Sequence, residues 1–251
     1  MESSKPGGLR WNVNFNFANN SNKVLEIVNG TTTLDRNTSI LLGKPLGQIL
    51  TTKFAGVNAA TGRAMWFDSL GNITYNPQPK DRYYAGIGGG LPPITGGLSS
   101  TLAYKGVSVD VQFSYQYGQL LSDGQYNFAM ETIARVNLLQ ENYTNRWTTP
   151  GQITYVPKAN GVTDPNGVGP GSGNRFLQKT DFIRMRSLTL AYDFGSTFLT
   201  RLKIAAARFY VQGGNLFTKT AFKGYDPEFV NTATGIVPQS KNITAGVQFV
   251  F

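Results

Sequence analysis

The sequence predicts an all-β fold, an antiparallel transmembrane β-barrel segment of about six or more strands with long extracellular loops. Three observations lead to this prediction. Apolar and polar residues alternate strictly over long runs, these runs are long enough to cross an outer membrane, and short links between them alternate with long segments, here called excursions.

The strongest alternation runs from Val107 to Tyr117, where valine, phenylalanine and tyrosine at odd positions alternate with serine, aspartate and glutamine at even positions. A period of two is typical of a strand whose two faces meet different surroundings. The same pattern, weakest in the second of these runs, predicts five further strands: Leu9 to Phe17, Ile94 to Tyr104, Leu188 to Phe194, Ala207 to Gln212 and Ile243 to Phe251.

The length and ends of these runs favour a membrane over a soluble sandwich. Eleven residues span ~36 Å, which a tilt of ~45° projects to ~26 Å, about the height of an outer-membrane apolar band. Aromatic residues lie near the strand ends, as in an interfacial girdle. They are Trp11, Tyr104, Tyr117, Phe194 and Phe251. Asp110 and Arg208 lie at the polar positions of the alternating pattern, which predicts that their side chains face the lumen.

Short and long connections alternate along the chain. The expected short links are Tyr104 to Gly106, Asn19 to Asn22, and Gly195 to Arg201. In the excursion from Asn29 to Pro93, the apolar pieces Gln48 to Phe54 and Ala64 to Phe67 are expected to extend strands above the membrane.

A second excursion runs from Gln119 to Asp181 and begins with a helical pattern from Phe128 to Gln140, which Asn127 could cap. It continues through Trp147 to a flexible stretch rich in Gly and Pro, Pro165 to Gly173.

Composition removes most enzyme classes. The chain has 251 residues, of which 40% are hydrophobic and 15% charged, with no Cys and no His. Catalytic triads, cysteine nucleophiles, zinc fingers and iron–sulfur clusters need thiolate or imidazole groups. We therefore expect no enzyme, no cofactor and no metal. The net charge of +9 is spread singly from Lys5 to Lys241, which argues against nucleic-acid binding.

Two kinds of candidate site residue lie in the excursions. Exposed aromatic residues can stack on sugars or peptides, although packing within the loops is the alternative. These residues are Trp66, Tyr83, Tyr84, Tyr143, Trp147 and Tyr155. Asp226 and Glu228 flank Pro227, and such carboxylates suit a glycosidase pair, a calcium site or a surface turn.

Several segments resemble the C-terminal end of the SusC/RagA family of TonB-dependent outer-membrane transporters. They are Arg208 to Phe217 (R-F-Y-V-Q-G-G-N-L-F), Gly224 to Glu228 and Thr244 to Phe251. The resemblance extends through Phe182 to Tyr192 and Tyr104 to Gly118, back to Trp11, and leaves out Met1 to Gly8.

The resemblance implies a 22-strand barrel around an N-terminal plug. It further implies a Gram-negative, Bacteroidetes-like outer membrane with its lipid, and import of glycans or peptides beneath a SusD-like lipoprotein. TonB would be contacted through an N-terminal region. Residues 1–251 are then expected to be the C-terminal part of the barrel, without plug or signal peptide. Six strands form a ribbon only ~29 Å wide, too narrow to close around a solute.

The family resemblance also suggests roles for two apolar surfaces. The last strand resembles a barrel-assembly signal, with a simple lipid-facing strand as the alternative; its outward residues are Ile243, Ala245, Val247, Phe249 and Phe251. Ile133, on the predicted helix, is a candidate contact for the lipoprotein, unless that face packs internally.

Two other functions remain open. A small independent porin or adhesin barrel would need at least eight strands. A secreted β-rich carbohydrate-binding protein or glycosidase would use Asp226 and Glu228.

Overall fold

The computed structural model describes residues 8–34, 37–88, 92–122, 139–159, 173–195, 199, 203–228 and 237–251. Within these residues the chain is mainly antiparallel strand. The strands are β1 (Arg10–Asn19), β2 (Thr33–Leu34), β3 (Asn37–Leu41), β4 (Gln48–Thr51), β5 (Phe54–Val57), β6 (Ala64–Phe67), β7 (Ile73–Thr74), β8 (Tyr83–Ile87), β9 (Ile94–Tyr104), β10 (Val107–Tyr117), β11 (Leu120–Ser122), β12 (Leu177–Lys179), β13 (Phe182–Asp193), β14 (Ala206–Thr220) and β15 (Asn242–Val250). A short helix, α1 (Gln140–Asn145), and 3₁₀ turns at Val28–Gly30, Pro79–Asp81 and Asn174–Phe176 accompany them.

A six-stranded antiparallel sheet is the centre of the fold, in the order β1-β9-β10-β13-β14-β15. Its members are the six strands that the alternation predicts. The bounds of β9 and β10 agree with the prediction, whereas β13 and β14 are longer, with 12 and 15 residues. Strands of this length exceed those usual in soluble sheets and suit a membrane crossing.

One face of this sheet is apolar and open to the surroundings. Phe15 is 66% exposed at one edge and Ile243 is 75% exposed at the other. Further large apolar side chains on the same face are also exposed: Trp11, Val13, Phe17, Leu98, Leu102, Ile183, Leu190, Phe209, Val247 and Phe249. A soluble protein buries such a surface, whereas a barrel wall presents it to lipid.

The opposite face carries the polar residues. Asp110 on β10 accepts a hydrogen bond from the Thr101 hydroxyl at 2.6 Å. Arg208 on β14 donates to the Ser108 hydroxyl at 3.4 Å. Polar side chains thus bond to one another, between the neighbouring strands β9 and β10 and across β13 from β14 to β10, as suits the lumen face of a barrel.

Two of the connections contrast in form. Lys105 and Gly106 join β9 to β10 with φ values of 46° and 86°, the paired positive angles of a type I′ turn. The prediction of a tight turn at Asn19–Asn22 is wrong. The Asn20 N–H donates to the Pro93 carbonyl, and the Asn22 carboxamide accepts from the Leu46 N–H at 2.6 Å. Because β1 pairs with β9, the chain at this point enters the first excursion.

The excursions fold into small separate sheets. β4 pairs with β8, β6 pairs with β5 and with β7, and β11 pairs with β12. The expected extensions at Gln48 to Phe54 and Ala64 to Phe67 therefore form strands, but these strands do not continue the six-stranded sheet. The predicted helix from Phe128 lies outside the described residues up to residue 138, and α1 begins at Gln140.

None of the helices in the described ranges is long and apolar enough to cross a membrane.

Candidate functional site

A β-bulge in β13 builds the main polar cluster of the sheet. Phe113 pairs with Met185 and Gln112 with Ser187, so Arg186 is an extra residue in the ladder with β10. Such a bulge places two successive side chains on one face of the sheet. Arg184, opposite Ser114, already lies on the polar face, and Arg186 joins it there.

The two arginines bind the segment that follows β14. Arg184 donates to the Asp226 carboxylate at 2.6 Å and to Glu228 at 2.8 Å. Arg186 pairs with the other oxygen of Glu228 and donates to Ser114 at 2.7 Å. We call Arg184, Arg186, Asp226 and Glu228 the arginine–carboxylate cluster.

Further polar groups complete the cluster. Asp226 also accepts from the Glu228 N–H at 3.0 Å, and Gln239 donates through its side chain to Glu228 at 3.2 Å. Thr218 accepts from the Arg184 Nε at 3.1 Å. Since the side chains of Arg184 and Asp226 are only 4% and 3% exposed, their charges are compensated by each other and not by water.

This geometry favours a structural role for Asp226 and Glu228 among those that the sequence left open. Both carboxylates are bound to arginines, which leaves neither free as the nucleophile or the proton donor of a glycosidase pair. No group of three or more metal-ligating side chains occurs in the part of the chain that the structure describes. The carboxylates instead hold the described parts of the third excursion, residues 221–228 and 237–241, against the polar face of the sheet.

Two tryptophans pack against residues of the first excursion, and Trp147 thereby links it to the second. Trp66 is fully buried and lies edge-on to Phe54. Trp147 donates its indole N–H to the Ala59 carbonyl at 2.9 Å and lies so close to Gly62 that a Cβ there would be 2.4 Å from its ring. Both side chains pack within the loops, which is the alternative reading of these aromatic residues.

The four tyrosines predicted to contact ligands are more accessible. Tyr143 is 75% exposed, and Tyr83, Tyr84 and Tyr155 are each exposed over more than a third of their surface. They do not all present free hydroxyl groups: Tyr83 accepts from the Asn174 carboxamide at 2.7 Å, and Tyr155 bonds to Glu141. Ile133 lies outside the described residues.

A pocket lies in the first excursion between β6 and β8. Its volume is about 540 Å³. Two carboxylates form part of its wall: Asp68 accepts from the Leu70 and Asn72 N–H groups, and Asp81 from the Gln78 and Ser69 N–H groups. These backbone donors lower the pKa of both aspartates.

Comparison with known proteins agrees with this architecture. No family model matches the chain. Among curated proteins, TonB-dependent receptor P39 of Formosa agariphila is 27% identical over 199 residues, which covers 76% of this chain and 18% of that receptor. TonB-dependent receptor P3 of the same organism is 24% identical over 243 residues, covering 87% and 23%.

Solved structures extend the likeness to three dimensions. The RagAB peptide importer in its open-open state superimposes with a TM-score of 0.80 at 25% identity, over 98% of this chain and 27% of that one. Its closed-closed state gives 0.80 at 26% identity, over 98% and 28%. The chain is similar to a portion of a TonB-dependent receptor of the SusC/RagA type.

The predicted barrel fold and family are thereby confirmed. The chain spans less than a third of the length of the relatives it matches, from 18% to 28%. Its six-stranded sheet is a section of transmembrane barrel wall, with the arginine–carboxylate cluster on the polar side.

Sequence reasoning missed two groups of residues in this chain. Arg184 and Arg186 are not predicted as site residues, although the adjacent polar pair Arg186-Ser187 breaks the alternation and signals a bulge. Lys53 and Arg82 line the pocket. Nothing in their local sequence distinguishes them from the other scattered basic residues.

Proposed function

We propose that this chain is the C-terminal part of a 22-strand outer-membrane barrel that imports nutrient oligomers, glycans or peptides, by TonB-dependent active transport. One observation carries the proposal: 98% of the chain superimposes on the RagAB peptide importer, while the sheet has one exposed apolar face and one polar face. A wall with this polarity separates lipid from a polar lumen.

The remaining parts of the system would lie outside this chain. A SusD-like lipoprotein would cover the barrel on the outside, an N-terminal plug would fill it, and TonB would deliver energy through the N-terminal region. In this arrangement the strands are committed to lipid and lumen. The excursions, where Tyr83, Tyr84, Tyr143 and Tyr155 are exposed, would contact substrate and lipoprotein.

Two observations disfavour the alternative functions. In the described residues, β1 and β15 are the edges of an open sheet, and the short strands of the first excursion pair among themselves. An independent small barrel would need those strands to close the wall. The exposed apolar face and the arginine-bound carboxylates are likewise unsuited to a secreted glycosidase.

Uptake by the full-length receptor tests the proposal. In the native host, the gene is deleted and restored, and cells are given labelled peptides or labelled glycans. We expect one of these to accumulate only when both the receptor and TonB are present. Equal accumulation in the deletion strain, or accumulation that survives loss of TonB, would contradict the proposed transport.

Contact with the lipoprotein is tested at the predicted helix. Ile133→Asp places a charge on its apolar face and is expected to reduce co-purification of the lipoprotein with the full-length receptor. Ile153→Asp is the matched control, because Ile153 lies in the same excursion and is almost fully exposed. If the lipoprotein stays bound to the Ile133 variant as it does to the control, its contact lies elsewhere.

A further inference from the structure

The pocket in the first excursion has the features of a ligand site. The described residues that line it come from β6, from the loop that ends in the 3₁₀ turn Pro79–Asp81, and from the start of β8. They include Phe67, Asp68, Asp81, Arg82 and Tyr83, together with Lys53 from the preceding link. Its volume, about 540 Å³, is within the range of small-ligand pockets.

The two carboxylates of the pocket already accept hydrogen bonds from backbone N–H groups of the protein. Asp68 accepts from the Leu70 N–H at 2.9 Å and the Asn72 N–H at 2.8 Å. Asp81 accepts from the Ser69 N–H at 2.9 Å and the Gln78 N–H at 2.7 Å. Backbone dipoles therefore compensate both negative charges, and these groups serve to shape the wall.

The two cations of the pocket lack such compensation. In the described ranges, Lys53 and Arg82 are exposed and neither lies within salt-bridge distance of a carboxylate. The Lys53 ammonium instead lies 5.1 Å from the centre of the Phe67 ring. The pocket therefore offers a ligand two cations that are in no ion pair in these ranges, beside two carboxylates whose oxygens already accept backbone hydrogen bonds.

The aromatic residues restrict the kind of anion. Because Lys53 lies over the Phe67 ring, that face is not available for stacking against a sugar. Tyr83 is fixed by the hydrogen bond from Asn174, which itself accepts from the Phe54 N–H at 2.8 Å. The pocket thus combines two free cations with a fixed, partly apolar wall.

We propose that this pocket binds carboxylate groups of acidic peptides, with Lys53 and Arg82 as the recognising residues. The inference rests on the proposed import function, which it deepens by naming the site and the substrate charge. A carboxylate accepts from both an ammonium and a guanidinium, whereas the amide of a neutral peptide offers no charge to either.

Binding to the purified full-length receptor tests the proposal. The probe is acetyl-tetraglutamate amide, and its tetraglutamine counterpart is the neutral reference; both are titrated by calorimetry. We expect the glutamate peptide to bind more tightly, and Lys53→Gln and Arg82→Gln each to weaken it by about threefold to tenfold. Lys53→Arg and Arg82→Lys should retain most of the affinity, since the charge is kept.

Lys80→Gln is the matched control, because Lys80 is exposed beside Asp81 but does not line the pocket. Equal affinity for the two peptides, or an equal loss in the Lys80 variant, would overturn the proposal. A trigalacturonate probe that binds more tightly than the glutamate peptide and loses affinity in the Lys53 and Arg82 variants would also overturn it, in favour of an acidic glycan.

Transport separates this site from the general function. If the receptor imports nutrients through TonB but the Lys53 and Arg82 variants take up acidic peptides at the wild-type rate, the pocket proposal fails alone. If no nutrient accumulates through TonB while the purified receptor still discriminates the two peptides at this pocket, the import function fails and the site stands.

Discussion

Removing the Asp226 carboxylate should release the third excursion from the barrel wall. Asp226→Ala deletes the 2.6 Å ion pair to Arg184 and the hydrogen bond from the Glu228 N–H. Arg184 still donates to Glu228 at 2.8 Å and to Thr218 at 3.1 Å, so the remaining contacts compensate part of its positive charge. Removing one partner of a buried ion pair lowers the folding stability by about 3–5 kcal/mol. Because Arg184 retains other contacts, we expect a loss of ~3 kcal/mol here.

Amide hydrogen exchange in the full-length receptor measures this change locally. A loss of ~3 kcal/mol corresponds to exchange that is roughly 100-fold faster, when exchange follows the opening equilibrium. The amide to follow is that of Lys223, since it lies in the anchored excursion and donates to the Gln178 carboxamide at 2.8 Å, not to Asp226.

Asp193→Ala provides the control. Asp193 is 54% exposed and lies 3.8 Å from Arg208, so its loss should cost less than about 1 kcal/mol. The double variant Arg184→Met/Asp226→Leu should recover much of the protection, because it leaves no buried charge without a partner at this position. Exchange of the Lys223 amide within a factor of three of wild type in Asp226→Ala would refute the anchoring role.

Three further predictions concern the turn, the pocket wall and the last strand of the full-length receptor. Gly106→Ala should lower the urea midpoint of unfolding, because Gly106 has φ of +86° and a Cβ there would lie 2.7 Å from the Asp193 carbonyl. Gly195→Ala should leave the midpoint unchanged, because a Cβ there would contact no neighbouring atom. The Gln78 and Ser69 N–H groups lower the pKa of Asp81, so the stability that these hydrogen bonds contribute should be present at neutral pH and be lost as the pH falls through that lowered pKa. Hydrogen-exchange protection of the Ser69 amide measures this loss. The pH dependence should be absent in Asp81→Asn. Deletion of Phe251, which is exposed beside Phe249, should reduce outer-membrane insertion far more than Gln248→Ala; equal insertion would remove the assembly role.

Local alternation was sufficient to predict the six strands, but not all of their lengths. β9 and β10 follow a period of two to their ends and were predicted with the observed bounds. β13 was predicted only from Leu188, because the bulge at Arg186 reverses the phase of the pattern. In β14, Asn215 has φ of 52° and the register with β13 shifts nearby, so a simple alternation ends before the strand does.

The contacts of the site are less accessible to such reasoning. Arg184 and Asp226 are 42 residues apart in sequence, and only the pairing of β13 with β14 brings them together. Trp66 and Tyr83 are both aromatic residues of one excursion, yet one is buried and the other partly exposed. Residue type predicts what a side chain can bind, whereas tertiary packing decides whether it is accessible.

Because of the bulge at Arg186, deleting one residue from β13 has different consequences at different positions of the strand. In the ladder between β10 and β13, Arg186 is the residue that has no pairing partner on β10. Deleting it would make this ladder regular and leave Ser187 and Leu188 on their present faces. Deleting Leu190 instead would turn every later side chain of the strand over, placing Tyr192 in the lumen and Asp193 in lipid. On the β10 side, shortening the strand by one residue at the bulge therefore removes an arginine but preserves the sidedness of the membrane strand, whereas on the β14 side Asn215 and Leu216 would lie opposite no residue.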